Sequence, residues 1–201
     1  MSNSKIEKPT LKDIPQGRLG MWILILGEFV IFGGLIVAYL LYRFRYQEWA
    51  EMAAQTNLVL GATNTFVLLT SSFFVVKAHS AAVKKDTKKM SLYIFLTIIC
   101  ALIFLVVKIT EYSQKIHHGY TFSGEGLVSK GKAVESTYWA FYFLMTGLHA
   151  LHVIIGAIVL FIIMMGARKG KNLHRIEIGG MYWHMVDLIW IFLFPLLYIA
   201  N

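Results

Sequence analysis

The chain has 201 residues, of which 57% are hydrophobic, with a net charge of +8 and one cysteine. Its hydrophobicity is gathered into long runs and not into amphipathic faces, the pattern of a polytopic membrane protein. The single cysteine, Cys100, excludes a disulfide framework and a thiolate metal site built from this chain, and reads as a buried structural thiol. The basic residues lie in clusters between apolar runs and accompany no recognition fold, so nucleic acid is set aside as a partner.

Residues 1–18 are polar and carry Pro9 and Pro15, and the apolar run behind them exceeds a signal-peptide core. They are expected to form an uncleaved cytoplasmic tail ahead of one membrane domain over 19–201. Five runs are long enough to span a bilayer, at 19–42, 58–78, 92–109, 138–165 and 181–200. Backbone hydrogen bonds in lipid must close within each segment, so the runs predict helices and an all-α integral membrane bundle of five spans.

The first run is uncharged except for Glu28, which lies about a third of the way in at 1.5 Å rise per residue. An acidic side chain at mid-helix costs at least about 2.5 to 3.5 kcal/mol, so Glu28 is expected to face protein. The second run carries Asn64, Thr65, Thr70, Ser71 and Ser72, which read as interhelical or self-bonding packing groups. Gly27, Gly33, Gly34, Gly61, Gly147 and Gly156 read as sites of close helix approach. Near the end of the third run, Lys108 and Glu111 are three apart and predict a structural ion pair, with Lys108 snorkelling outward.

The segment from Ser113 to Thr137 is the long connector, carrying His117, His118 and several glycines; it is either a partner contact or a solvated link. In the fourth run His149 and His152 share a helix face. Imidazoles at this spacing can ligate a metal, but a redox centre needs a fuller ligand set, and the carboxylates here form no Glu-x-x-His pairs. Hydrogen bonding to Glu28, to a lipid headgroup or to a neighbouring helix is the favoured reading. Rises counted along antiparallel spans place Glu28 and His152 within about two helical turns in depth. The fifth run opens Tyr182-Trp183-His184-Met185-Val186-Asp187-Leu188-Ile189-Trp190, with His184 and Asp187 on one face. They form either a self-satisfied pair near the headgroups or a lipid or partner contact.

Basic residues alternate by loop. Lys5, Lys8, Lys12 and Arg18 precede the first span, Lys84, Lys85, Lys88 and Lys89 follow the second, and Arg168, Lys169, Lys171 and Arg175 follow the fourth. The positive-inside rule therefore predicts a cytoplasmic N-terminus and an external C-terminus. A small proton-coupled transporter or channel using Glu28, His149 and His152 as a relay is a reading of another class.

Five segments in order carry a family resemblance: Gly20-Met21-Trp22 followed by Glu28; Asn64-Thr65 with Leu68-Leu69 and Ser71; Glu111-Tyr112; Thr146-Gly147-Leu148-His149 with His152-Val153 and Gly156; and Tyr182-Trp183-His184-Met185-Val186-Asp187 with Trp190. Over about residues 18–199 the chain resembles subunit III of the haem-copper respiratory oxidases, the group of cytochrome c oxidase and quinol oxidase. The resemblance implies a helical bundle beside the catalytic subunit I in a bacterial inner membrane, with subunit II and other respiratory complexes as further partners. It implies no redox cofactor or metal in this chain, haem and copper in the partner subunits, and bound phospholipid. Glu28 falls on the family's buried carbodiimide-reactive glutamate, tied there to proton uptake and lasting activity. His149 and His152 fall on histidines near that glutamate and near phospholipid, and His184 and Asp187 on the last-helix signature. A quinol oxidase or a nitric oxide reductase relative is the runner-up within the resemblance.

Three departures stand out. The mitochondrial form carries two further helices ahead of the first one matched here, and its lipid-filled cleft lies between those two and the other five. A complete cleft is therefore expected to need helices from another subunit. Met185 stands where phenylalanine is usual, and Gly27 where serine often precedes the glutamate.

Overall fold

The computed structural model describes residues 16–46, 48–120, 132–168 and 175–199. The expectations placed on residues 1–15, on Gly124, Gly126, Lys130 and Gly131, and on Lys169 and Lys171 lie outside the described residues. Within the described residues six helices follow in order: α1 Gln16–Arg45, α2 Glu48–Ala54, α3 Leu58–Val83, α4 Thr87–His117, α5 Ala133–Arg168 and α6 Arg175–Tyr198. All except α2 are long and apolar enough to cross a membrane. At 30 residues α1 is about 45 Å long, which exceeds a hydrocarbon core of about 30 Å and carries its ends into the headgroups.

Helices α3, α4, α5 and α6 form a ring in which α3 packs on α4 and α6, and α5 packs on α4 and α6; α1 lies outside the ring against α5 and α6. Large apolar side chains such as Val30, Leu41, Phe66, Ile109 and Ile162 point outward, as a lipid-facing surface requires. Buried inside are Asn64, Thr97, Lys108, Glu111, His149 and Asp187 together with Trp183 and Trp190.

Each end has its own chemistry. Asn57 caps α3 by accepting from the Leu60 N–H, and Asp86 caps α4 by accepting from the Lys89 N–H. The α3–α4 turn is tight enough to place Lys85 at φ 56°, where its N–H reaches the Ala82 carbonyl and the Asp86 N–H reaches that of Ala81. At the far end of α6, the carbonyls left over by the last turn find partners in order. The Ile199 N–H takes Pro195, the Tyr39 hydroxyl takes Leu196 and the Tyr138 hydroxyl takes Leu197, so two other helices finish this one.

Of the glycines expected at close approaches, Gly61 and Gly156 are such sites, and Gly17 and Gly179 join them against Ile178 and Ile163. A Cβ on Gly61 would sit 2.7 Å from the Tyr198 ring, and one on Gly156 would sit 2.9 Å from the Trp183 ring. Gly27, Gly33 and Gly34 do not match the expectation of close packing within this chain. A Cβ on any of the three would meet nothing within 4 Å among the described residues.

Helix α2 is absent from the sequence-based expectation because seven residues make no span. It buries Trp49 against Tyr39, Tyr42, Tyr138 and Phe141, and so closes one end of the bundle. The long connector is also shorter than expected, since α4 runs on to His117 and α5 begins at Ala133.

Candidate functional site

Glu28 projects from the middle of α1, about 18 Å from its first residue. Its Oε2 lies 3.0 Å from His152 Nε2 on α5, with only 17% of the Glu28 side chain and 10% of the His152 side chain exposed. The other imidazole nitrogen is committed, because His152 Nδ1 lies 2.7 Å from the Leu148 carbonyl one turn back. A carbonyl oxygen only accepts, so Nδ1 carries hydrogen. Nε2 is the nitrogen left to face Oε2, at ion-pair distance but without hydrogen-bond geometry to it among the described residues. Phe32 stands edge-on to the ring at 5.5 Å and the Tyr182 hydroxyl donates to the His152 carbonyl, so the imidazole is fixed from α1 and α6.

His149 does not join it. One turn earlier on α5, it is fully buried against Phe104 of α4 and Trp190 of α6, with ring centroids 5.5 and 5.0 Å away. The shared helix face expected from the spacing is wide enough to straddle two interfaces, which separates the two imidazoles. Among the described residues no three His, Cys, Asp or Glu side chains converge as a metal-binding group.

His184 and Asp187 are not joined either. Ser72 Oγ lies 2.6 Å from His184 Nδ1, so α3 takes the imidazole that the sequence spacing offers to Asp187. Asp187 is 4% exposed and lies on the inner side of α6. The hydroxyls of α3 act as a row of partners for α6. Ser71 accepts from Trp183 Nε1 at 2.9 Å and Thr65 accepts from Trp190 Nε1 at 3.0 Å, while Thr70 bonds back to Phe66 of its own helix.

Lys108 and Glu111 meet at 3.0 Å, with side-chain exposures of 3% and 0%. Lys108 does not snorkel, because its partners are inside. Nζ also donates to the hydroxyls of Tyr142 at 3.1 Å and Tyr198 at 2.9 Å, and Tyr198 donates to Glu111 Oε2 at 2.8 Å. The rings of Tyr112, Tyr142, Trp190 and Tyr198 surround the ammonium within 5.5 Å. The sequence marked the ion pair but not the tyrosines, which lie 34 and 90 positions away.

A ring of four apolar helices with a fifth held against it, polar groups turned inward and a close Glu28–His152 contact between α1 and α5 define a multi-pass membrane protein. The family model described as Cytochrome c oxidase subunit III matches residues 10–201, and the chain belongs to that family. It is 32% identical to cytochrome c oxidase subunit 3 of Bacillus sp. (strain PS3), over 91% of this chain and 85% of that protein. It is 29% identical to cytochrome c oxidase subunit 3 of Thermostichus vulcanus, over 91% and 87%. It is 26% identical to the Probable quinol oxidase subunit 3 of Staphylococcus saprophyticus, over 92% and 89%. The chain is thus a subunit III of a haem-copper oxidase, an oxidoreductase assembled from several subunits.

Proposed function

We propose that this chain is the non-redox accessory subunit of a proton-pumping terminal oxidase of cytochrome c oxidase type in a bacterial inner membrane. It packs beside subunit I, stabilises it, holds phospholipid and keeps the proton-uptake entrance supplied. Its N-terminus lies in the cytoplasm and its C-terminus outside, following the basic clusters at Lys84, Lys85, Lys88, Lys89, Arg168 and Arg175. Haem and copper, and hence oxygen reduction, belong to the partner subunits.

The observation that carries this reading is the 3.0 Å contact between Glu28 and His152. Nδ1 is committed to the Leu148 carbonyl, and Nε2 is the nitrogen that faces Oε2, which supports proton handling by this pair. The 17% of the Glu28 side chain that stays exposed leaves room for a partner's groups to reach it. His149 contributes by packing Phe104 and Trp190 together, His184 ties α6 to Ser72 of α3, and Lys108 and Glu111 tie α4 to α5 and α6. The direct experiment is purification of the intact complex with its subunits identified and its donor assayed. Oxidation of reduced cytochrome c by a haem-containing complex carrying this chain supports the proposal. Proton movement by this chain alone in liposomes overturns it in favour of a transporter.

A second reading differs only in the electron donor. The similarity to the Staphylococcus saprophyticus protein favours a quinol oxidase. Turnover with quinol and none with cytochrome c in the same preparation selects it.

A further inference from the structure

Tyr198 closes α6 with 5% of its surface exposed, and its hydroxyl donates to Glu111 Oε2 at 2.8 Å. Glu111 is fully buried, and its other oxygen, Oε1, has no hydrogen-bond partner among the described residues. This sets Tyr198 apart from nearby tyrosines. Tyr39 and Tyr138 donate to the backbone carbonyls of Leu196 and Leu197, Tyr112 meets the Thr146 hydroxyl, and Tyr120 donates to the Gln55 side-chain oxygen. Carbonyls, amides and hydroxyls are poor proton acceptors, whereas a carboxylate is a competent base.

Oxidisable rings in near contact lead outward from this pair. The Tyr142 ring lies 6.1 Å from that of Tyr198, with the two hydroxyls 3.2 Å apart. Half-buried Tyr112 lies 6.1 Å from Tyr142. Trp139 lies 5.4 Å from Tyr142 on another side, and half-buried Tyr120 stacks on Trp139 at 4.4 Å. Tyrosine and tryptophan can each lose one electron, and an electron crosses between rings this close without a bridging group. Lys115 stands 5.0 Å over the Trp139 ring, where a cation disfavours positive charge on the indole, so an oxidising equivalent passes Trp139 and does not rest there.

We propose that Tyr198 is a redox-active tyrosine that collects the oxidising equivalent of an oxygen-derived one-electron oxidant, such as a hydroxyl or peroxyl radical, arriving at Tyr112 or Tyr120. The oxidant gains one electron and becomes its anion. The electron is replaced ring by ring from Tyr198, whose phenolic O–H bond breaks as its proton passes along the 2.8 Å contact to Glu111 Oε2. The products are a neutral phenoxyl radical on Tyr198 and a carboxylic acid on Glu111. Lys108 keeps its charge, held within 5.5 Å of the rings of Tyr112, Tyr142, Trp190 and Tyr198. A one-electron donor such as ascorbate restores the electron through the same rings, and Glu111 returns the proton. The site uses neither Glu28 nor His152, so it stands or falls separately from proton handling by that pair.

The test oxidises the intact complex carrying this chain with azide radicals from pulse radiolysis, and reads the freeze-quenched sample by electron paramagnetic resonance. Tyr198→Phe keeps the ring and removes the hydroxyl, so the complex should retain this subunit while losing one component of the tyrosyl signal. That component should narrow when the parent complex is grown on β-deuterated tyrosine. Tyr93→Phe, which changes a half-buried tyrosine stacked on Phe74 away from Glu111, should leave it intact. Infrared difference spectra should show a carboxylic acid band rising with the radical, shifting with isotope-labelled glutamate and missing in Glu111→Gln. The labelled parent complex carries this readout even where Glu111→Gln does not assemble. An unchanged tyrosyl signal in Tyr198→Phe overturns the proposal. An equal loss in Tyr93→Phe overturns it in favour of unselective oxidation, and a radical that forms without the carboxylic acid band overturns the proton step to Glu111.

Discussion

Replacing Lys108 by methionine removes the cation paired with Glu111 inside the bundle while keeping most of the side chain's volume. Glu111 is fully buried and then retains one donor, the Tyr198 hydroxyl at 2.8 Å. The ammonium's bonds to Glu111, Tyr142 and Tyr198 are lost together. Breaking a buried pair from one side costs about 3 to 5 kcal/mol, because the other charge is left uncompensated. Removing both charges with Lys108→Met and Glu111→Leu should cost under about 2 kcal/mol, since an apolar replacement of similar volume is often neutral. A double-mutant cycle should therefore show a coupling of about 2 kcal/mol or more. The assay is reversible unfolding of the subunit by SDS titration, with retention of subunit III in the purified complex as the second readout. A Lys108→Met cost under about 1 kcal/mol, or strict additivity in the double variant, refutes the view that this network holds α4, α5 and α6 together.

Three further outcomes follow from other contacts. Gly156→Leu drives a side chain into the Trp183 ring, which even a bare Cβ would approach to 2.9 Å, and should cost about 1 to 3 kcal/mol of bundle stability in the same unfolding assay. Ser72→Ala strands His184 Nδ1 and should weaken subunit retention in detergent, while Thr70→Ala, which loses only a bond within its own helix, should not. The Lys89 backbone N–H holds the Asp86 carboxyl below the usual carboxylate range. A lowered value means that its contribution is complete above the ordinary Asp value of about 3.9 and disappears as pH falls through the lowered one. Infrared titration of labelled Asp86 should find a midpoint below that ordinary value, and a midpoint at or above it contradicts the cap geometry.

The spans were legible because membrane burial demands long uninterrupted apolar runs, and every one of the five became a helix. Glu28 was legible for the converse reason, since a lone charge in such a run needs a partner, and depth counting brought His152 near enough to name. What spacing could not supply was the direction of each side chain around its helix. His149 and His152 share a face in sequence but meet different neighbours, and His184 turns to Ser72 on α3 instead of Asp187 on its own helix. Lys108 shows the same limit: its ion pair is local and readable, while Tyr142 and Tyr198 arrive from helices far along the chain. Helix α2 was hidden because seven residues, about two turns of helix carrying Trp49, have no period long enough to detect.

The central claim is that the Glu28–His152 pair handles protons for its neighbour's chemistry, and it is tested most directly by proton uptake and turnover lifetime in the purified complex carrying Glu28→Ala. The account predicts unchanged assembly and haem spectra with slower proton uptake or earlier inactivation during turnover. Parental uptake, pumping stoichiometry and lifetime, all measured in the same preparation, would contradict it.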